Sequence, residues 1–187
     1  MQGTGLARRK RLNKQLVLIF SLVLVVVLVA LDQLTKFLFT RLYLKNGQTT
    51  VIDGFFYFTY VENSGAAWSF LSDLSWSQLF FKILTVISIL LFGLFFYYGY
   101  KHNYRFLQFS LAITVGGTIG NFIDRLRFDA VTDFIKFVFG SYHFPIFNVA
   151  DICLTFGVIM IIVHLLFLDE NAVFSKKKEE KAEDEKA

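Results

Sequence analysis

Ile146–Leu168 reads IFNVADICLTFGVIMIIVHLLFL. As a helix rising ~1.5 Å per residue it spans roughly 34 Å, enough to cross the ~30 Å hydrocarbon core of a bilayer. Asp151 lies inside this run, and a carboxyl in hydrocarbon either has a partner or stays protonated. Three more stretches have the length of a span: Leu16–Phe39, Leu79–Tyr100 and Phe106–Ile123. The rest of the chain agrees, with 55% apolar residues, 24 Phe, a single Pro and a mean hydropathy of +0.54. Such values are far from those of a soluble domain. The expected fold is an all-α polytopic membrane protein with four transmembrane helices.

Orientation follows from the positions of Lys and Arg. Arg8 to Arg11, the short turn with Lys101 and Arg105, and Lys176 to Lys178 all fall on one side, the cytoplasm by the positive-inside rule. The first span is longer than the ~7 to 15 apolar residues of a secretory signal and reads as a retained anchor. The 187 residues therefore divide into a basic cytoplasmic segment (1–15), a membrane domain (16–168) and a charged cytoplasmic tail (169–187), of which Lys176 to Ala187 are expected to be disordered. The segments 40–78 and 124–145 lie outside. Most of the net charge of +4 sits beside hydrophobic stretches, which points to membrane lipids rather than nucleic acid. The lone Cys153 forms no intramolecular disulfide and reads as a buried small residue.

In the first outer segment, Val51–Val61 (VIDGFFYFTYV) favours strand over helix. Two readings stand: a small extracytoplasmic β platform resting on the membrane, or an edge to which an extended peptide adds. Trp68 and Trp76 follow in an interfacial segment and read as anchors. Between them and the platform, Asn63-Ser64-Gly65-Ala66-Ala67 reads as a tight turn, with Asn63 also able to hold a substrate main-chain group.

Polar residues within the spans converge on one depth. Asp32 lies sixteen residues after Leu16, roughly 24 Å up its helix and near the outer face. Asn121, Asp124 and Arg125 end the third span there, and Asn148 and Asp151 begin the fourth, with Asp151 about 9 Å below Pro145. Spacing of three and four makes each set one polar stripe, Thr155 one turn further down, and such stripes should face the bundle interior. Gly116 and Gly120 form a GxxxG pair suited to close helix packing. Plainer roles exist for the charges. Asp32 and Lys36 suit a structural i,i+4 ion pair, Arg125 suits an interface marker or a bidentate clamp on a carboxylate, and Asp133 suits a solvated loop acid.

Two carboxyls in a partly dry site give one solution to peptide hydrolysis. Repulsion and desolvation split their titration, so that one activates water while the other donates a proton. His102, His143 and His164 are scattered and form no H-E-x-x-H, which disfavours a zinc peptidase. A Ser and Lys dyad has no supporting spacing. A small proton-coupled transporter would also carry intramembrane acids, but nearer the midplane and with broken or repeated spans.

Five blocks stand in order on this chain: Asp32-Gln33-Leu34-Thr35-Lys36; Asn63-Ser64-Gly65-Ala66-Ala67; Gly116-Gly117-Thr118-Ile119-Gly120-Asn121-Phe122-Ile123-Asp124-Arg125; Val131-Thr132-Asp133-Phe134; and Phe147-Asn148-Val149-Ala150-Asp151. Together they resemble the lipoprotein signal peptidases, also called signal peptidase II. The resemblance implies an intramembrane aspartyl endopeptidase of the bacterial inner membrane. It would cleave diacylglyceryl-modified prolipoproteins before the lipidated cysteine, near the outer face and without metal or cofactor. It implies Asp133 and Asp151 as the catalytic pair. Asn63, Asn121, Arg125 and Asn148 would support the pair or hold substrate, and Asp32 would have a more structural role. A monomer is expected. Phe137–Phe144 (FVFGSYHF) lacks a Trp that many relatives carry there, and the charged tail lies outside the family core.

Overall fold

The computed structural model describes residues 3–43, 47–65 and 76–168, without the side chains of residues 3–11 and 43. Four helices carry the chain: α1 (Gly3–Tyr43), α2 (Ser77–His102), α3 (Arg105–Phe128) and α4 (Val149–Val163), the last closing in a π-helical turn, His164–Leu168. All four are long and apolar enough to cross a membrane. α1 runs without a break from the basic residues into the span, so the expected boundary at residue 15 marks a change of composition rather than of structure. Trp68, the rest of 66–75 and the tail 169–187 fall outside the described residues.

The bundle is built around α3. Of its most hydropathic window 61% is buried, against 6 to 17% for the other spans. Lipid supplies no hydrophobic drive between helices, so close approach and polar contacts must hold them together. Small and hydroxyl side chains line the buried faces of α3. Ser110, Thr114 and Thr118 each donate to the carbonyl four residues back, which satisfies them without an outside partner. A Cβ at Gly116 would lie 3.0 Å from Leu28 of α1, and one at Gly117 would overlap the Ala150 carbonyl of α4. At Gly120 it would lie 2.5 Å from Asp32 Oδ2. The expected GxxxG packing is thus a three-helix junction. Cys153 is buried there, against the Gly117 face of α3. Large apolar side chains point outward instead, among them Leu16, Val26, Leu90 and Ile159.

At one end of the bundle lies an antiparallel sheet of strand order β1-β2-β3-β4: Thr49–Ile52, Phe56–Asn63, Val131–Phe139 and Tyr142–His143. VIDGFFYFTYV is therefore most of a hairpin, turned through Gly54 at φ +70°, where a residue without Cβ avoids strain. Phe39 at the end of α1 stacks on Phe134 of β3, with ring centroids 4.2 Å apart, and also meets Phe58 of β2, which pins the sheet to the bundle. β3 has neighbours on both sides. β2 pairs along one edge, and the Phe147 backbone bonds to Phe134 and Ile135 on the other. Among the described residues β1 is an outer strand of the sheet, and it is there, away from β3, that the edge-addition reading would apply.

Candidate active site

Asn148 organises the site. It is the N-cap of α4: its side chain accepts from Asp151 N at 3.0 Å, while Asp151 Oδ2 accepts from Asn148 N at 3.1 Å, a reciprocal capping box. Pro145 to Phe147 are not helical, so Asp151 stands in the first turn of α4 rather than about 9 Å of helix below Pro145. The remaining end of the Asn148 amide donates to Asp133 Oδ1 at 2.7 Å. One side chain thus joins Asp133 to Asp151.

Asp133 is no solvated loop acid. It lies on β3 and is 2% exposed. The register sets Val61 opposite Asp133 and Asn63 opposite Val131, so Asn63 and Asp133 project from the same face of the sheet. Asn63 Nδ2 accordingly donates to Asp133 Oδ2 at 3.0 Å, and Asn63 Oδ1 accepts from Gly65 N in the expected turn. Burial pushes the Asp133 carboxyl up, and the neighbouring charge of Asp151 adds to it. Hydrogen bonds from Asn63 and Asn148 only partly oppose these effects, and the result is about 7.

Asn121 on α3 completes the inner ring. Its Nδ2 donates to Asp151 Oδ1 at 2.8 Å, and its Oδ1 accepts from Lys36 Nζ at 2.8 Å and from Asn148 Nδ2 at 3.1 Å. Asp32 forms the expected i,i+4 pair with Lys36 at 2.9 Å, and its Oδ1 accepts from Ala150 N. Asp124 pairs not with Arg125 but with Lys36, at 3.2 Å.

Arg125 does not clamp a carboxylate: among the described residues it forms no ion pair. Its guanidinium lies 5.1 Å from the centre of the Phe81 ring and donates to the Gly65 carbonyl at 3.5 Å. Its charge still faces Asp151, Asp133 and Asp124.

These groups open on a cavity of about 680 Å³ between α2, α3, α4 and the segment 144–147. Asn63, Asn121, Arg125, Asp133 and Asp151 line its polar part, and Leu84, Phe92, Leu154 and Phe156 line the part that runs down the spans. Thr155, the foot of the expected stripe on α4, faces this cavity. Asp32, Lys36 and Asn148 stand behind its wall.

A family model described as signal peptidase (SPase) II matches residues 24–167. The chain belongs to the signal peptidase II family. A lipoprotein signal peptidase of Bacillus pumilus is 44% identical over 149 residues, covering 79% of this chain and 92% of that protein. One from Listeria monocytogenes serotype 4a is 44% identical over 144 residues, covering 76% and 89%. Two solved structures, each described as a bacterial membrane enzyme obtained by the in meso method, superpose with TM-scores of 0.67 and 0.68 at 35% identity. They cover 82% and 80% of this chain and 94% of theirs. As a signal peptidase II family member the chain is a peptidase and a multi-pass bacterial membrane protein, and the transporter reading is set aside.

The sequence reading missed Lys36 and Gln33 as parts of this family member's site. Gln33 Nε2 donates to Asp124 Oδ1 at 3.0 Å and to the Gly120 carbonyl at 3.1 Å. The available signal was Lys36 itself, a cation one turn from Asp32 at the depth where the other polar groups gather.

Proposed function

We propose that this peptidase removes signal peptides from diacylglyceryl-modified prolipoproteins by aspartyl chemistry, cleaving before the lipidated cysteine with Asp133 and Asp151. The observation that carries this reading is the Asn148 amide, which holds one aspartate while its own N-cap geometry holds the other, at the wall of a single cavity. The cavity's apolar part is suited to the substrate's acyl chains and hydrophobic signal segment. Its polar part receives the scissile peptide. Both termini lie in the cytoplasm and the pair near the outer face, where lipid-modified substrate arrives within the membrane plane. The unit is a monomer among membrane lipids.

In the free enzyme Asp133 keeps a proton near neutral pH because it is buried beside the Asp151 charge. Ionised Asp151 takes a proton from the attacking water as its oxygen bonds to the scissile carbonyl carbon. Asp133 gives its proton to the carbonyl oxygen, which forms a neutral tetrahedral diol. Collapse returns that proton to Asp133, and the proton held by Asp151 passes to the leaving nitrogen. The products are a signal peptide with a free carboxyl and a lipoprotein with a free α-amine. Arg125, facing both acids from α3, favours their single negative charge.

The deciding assay compares diacylglyceryl-modified and unmodified prolipoprotein with the purified protein in lipid. Cleavage of the modified form alone is expected, and equal cleavage of both would sink the lipid-dependent reading. The pH dependence is a second check. The pair loses its last proton near pH 7, so kcat/KM should fall as pH rises through about that value. A rate that stays flat from about pH 6 to about pH 9 would contradict a donor role for Asp133.

A further inference from the structure

Lys36 is 3% exposed, does not line the cavity, and has three acceptors for its three hydrogens. These are Asp32 Oδ2 at 2.9 Å, Asp124 Oδ2 at 3.2 Å and Asn121 Oδ1 at 2.8 Å. Each acidic partner also holds a backbone N–H next to the pair. Asp32 Oδ1 accepts from Ala150 N, the residue before Asp151, at 2.9 Å. Asp124 Oδ2 accepts from Thr132 N, the residue before Asp133, at 3.0 Å. The two chain segments that deliver the aspartates are therefore fastened to carboxylates that share one ammonium group.

The third contact bears on chemistry. A carboxamide has two ends of nearly equal size, and only the NH₂ end is a favourable neighbour for the Asp151 carboxylate. An ammonium group has donors and no acceptor, so whichever amide atom faces Lys36 Nζ must be the oxygen. Lys36 makes the shorter of the two bonds to that oxygen, 2.8 Å against 3.1 Å from Asn148 Nδ2, and with the oxygen so held the Asn121 NH₂ points at Asp151 Oδ1.

We propose that Lys36 is a positioning residue for the aspartate pair: by donating to Asn121 Oδ1 it holds the Asn121 amide with its NH₂ on Asp151, in a frame where Asp32 and Asp124 fix the backbone before each aspartate. Lys36 touches no substrate. It acts through Asn121, and it stands apart from the plain i,i+4 pair that its spacing with Asp32 suggests. The proposal rests on the aspartyl peptidase reading. Wild-type cleavage of the lipidated substrate tests that reading, and only the variants below test this one.

Removing Lys36 alone would leave two buried carboxylates without their cation, so the test uses the charge-balanced Asp32→Asn/Lys36→Met/Asp124→Asn. In lipid, its kcat on lipidated prolipoprotein should fall about 10- to 100-fold with KM within about twofold, the size of losing one hydrogen bond to a charged group. Combining it with Asn121→Ala should lower kcat no further than Asn121→Ala alone, because both remove the same donor from Asp151. A wild-type kcat in the balanced variant, a KM effect in place of the kcat effect, or losses that multiply in the combination would overturn the proposal. If the balanced variant does not accumulate in the membrane, Asp32→Asn/Lys36→Gln/Asp124→Asn decides. Its glutamine can still donate to Asn121 Oδ1, so kcat within about threefold of wild type supports the proposal. A tenfold loss, or failure of this variant to fold, assigns Lys36 to stability alone and overturns it.

Discussion

Replacing Asp133 with Asn is expected to lower processing of a lipidated prolipoprotein about a thousandfold or more while leaving the protein folded in the membrane. Asparagine fills the same volume but cannot release and recover a proton. The effect on stability should run the other way. Native Asp133 titrates near 7 against an ordinary 3.8, so between these values the unfolded chain sheds a proton that the native state keeps. Wild-type stability therefore falls as pH rises from about 4 to about 7 and stays lower above that. The interval corresponds to about 4 kcal/mol at most. The substituted amide would escape that penalty and forfeit one of the two hydrogen bonds now made to the carboxylate, about 1 kcal/mol. Thermal unfolding in detergent at about pH 8, above the whole interval, should thus show Asp133→Asn at least as stable as wild type. An inactive but clearly less stable variant would make Asp133 a structural residue, and normal turnover would remove it from the mechanism. Asp151→Asn should be as inactive, and its side-chain oxygen can still accept from Asn148 N in the capping box.

Asp133 and Asp151 also show which parts of the site were legible in the sequence. Asp151 stood out because it lies in an apolar run of helical length, where a carboxyl demands a reason. Asp133 did not, since Val131 to Phe134 are all buried, and a strand covered on both faces shows no alternation. The ordered motif blocks pointed to Asp133, not the chemistry of its neighbours in sequence. Asn63 was legible as a turn residue, but its bond to Asp133 comes from β2–β3 register, which joins positions seventy apart. The Asp32–Lys36 pair was legible from spacing alone. The third bond of Lys36, to a residue eighty-five positions away, depends on how α1 crosses α3 at Gly116 and Gly120. Arg125 misled because the sequence shows its charge and its acidic neighbours but not the Phe81 ring that takes up its face.

Asn148→Asp should separate what Asn148 does for the helix from what it does for the aspartates. Asp is as good an N-cap as Asn, so residue 148 can still accept from Asp151 N, and its own N–H can still donate to Asp151 Oδ2. Helix content and thermal stability below about pH 6 should stay near wild type. Asn148→Ala, in contrast, should lose about 1 kcal/mol with the cap. At the aspartates the change is severe. The NH₂ that reaches Asp133 Oδ1 at 2.7 Å and Asn121 Oδ1 at 3.1 Å is replaced by a carboxyl oxygen. A donor becomes a third acid beside two that already repel each other, and the pair takes up an extra proton at neutral pH. Loss of a charge-assisted hydrogen bond, about 1.5 to 3 kcal/mol, predicts a kcat lower by about 10- to 100-fold, and the added repulsion deepens it. The alkaline limb of kcat/KM should also move above about pH 7, since a third carboxylate holds the shared proton longer. Asn148→Asp that folds and turns over at the wild-type rate would mean that the aspartates do not depend on the amide between them. The capping box would then be the whole role of Asn148.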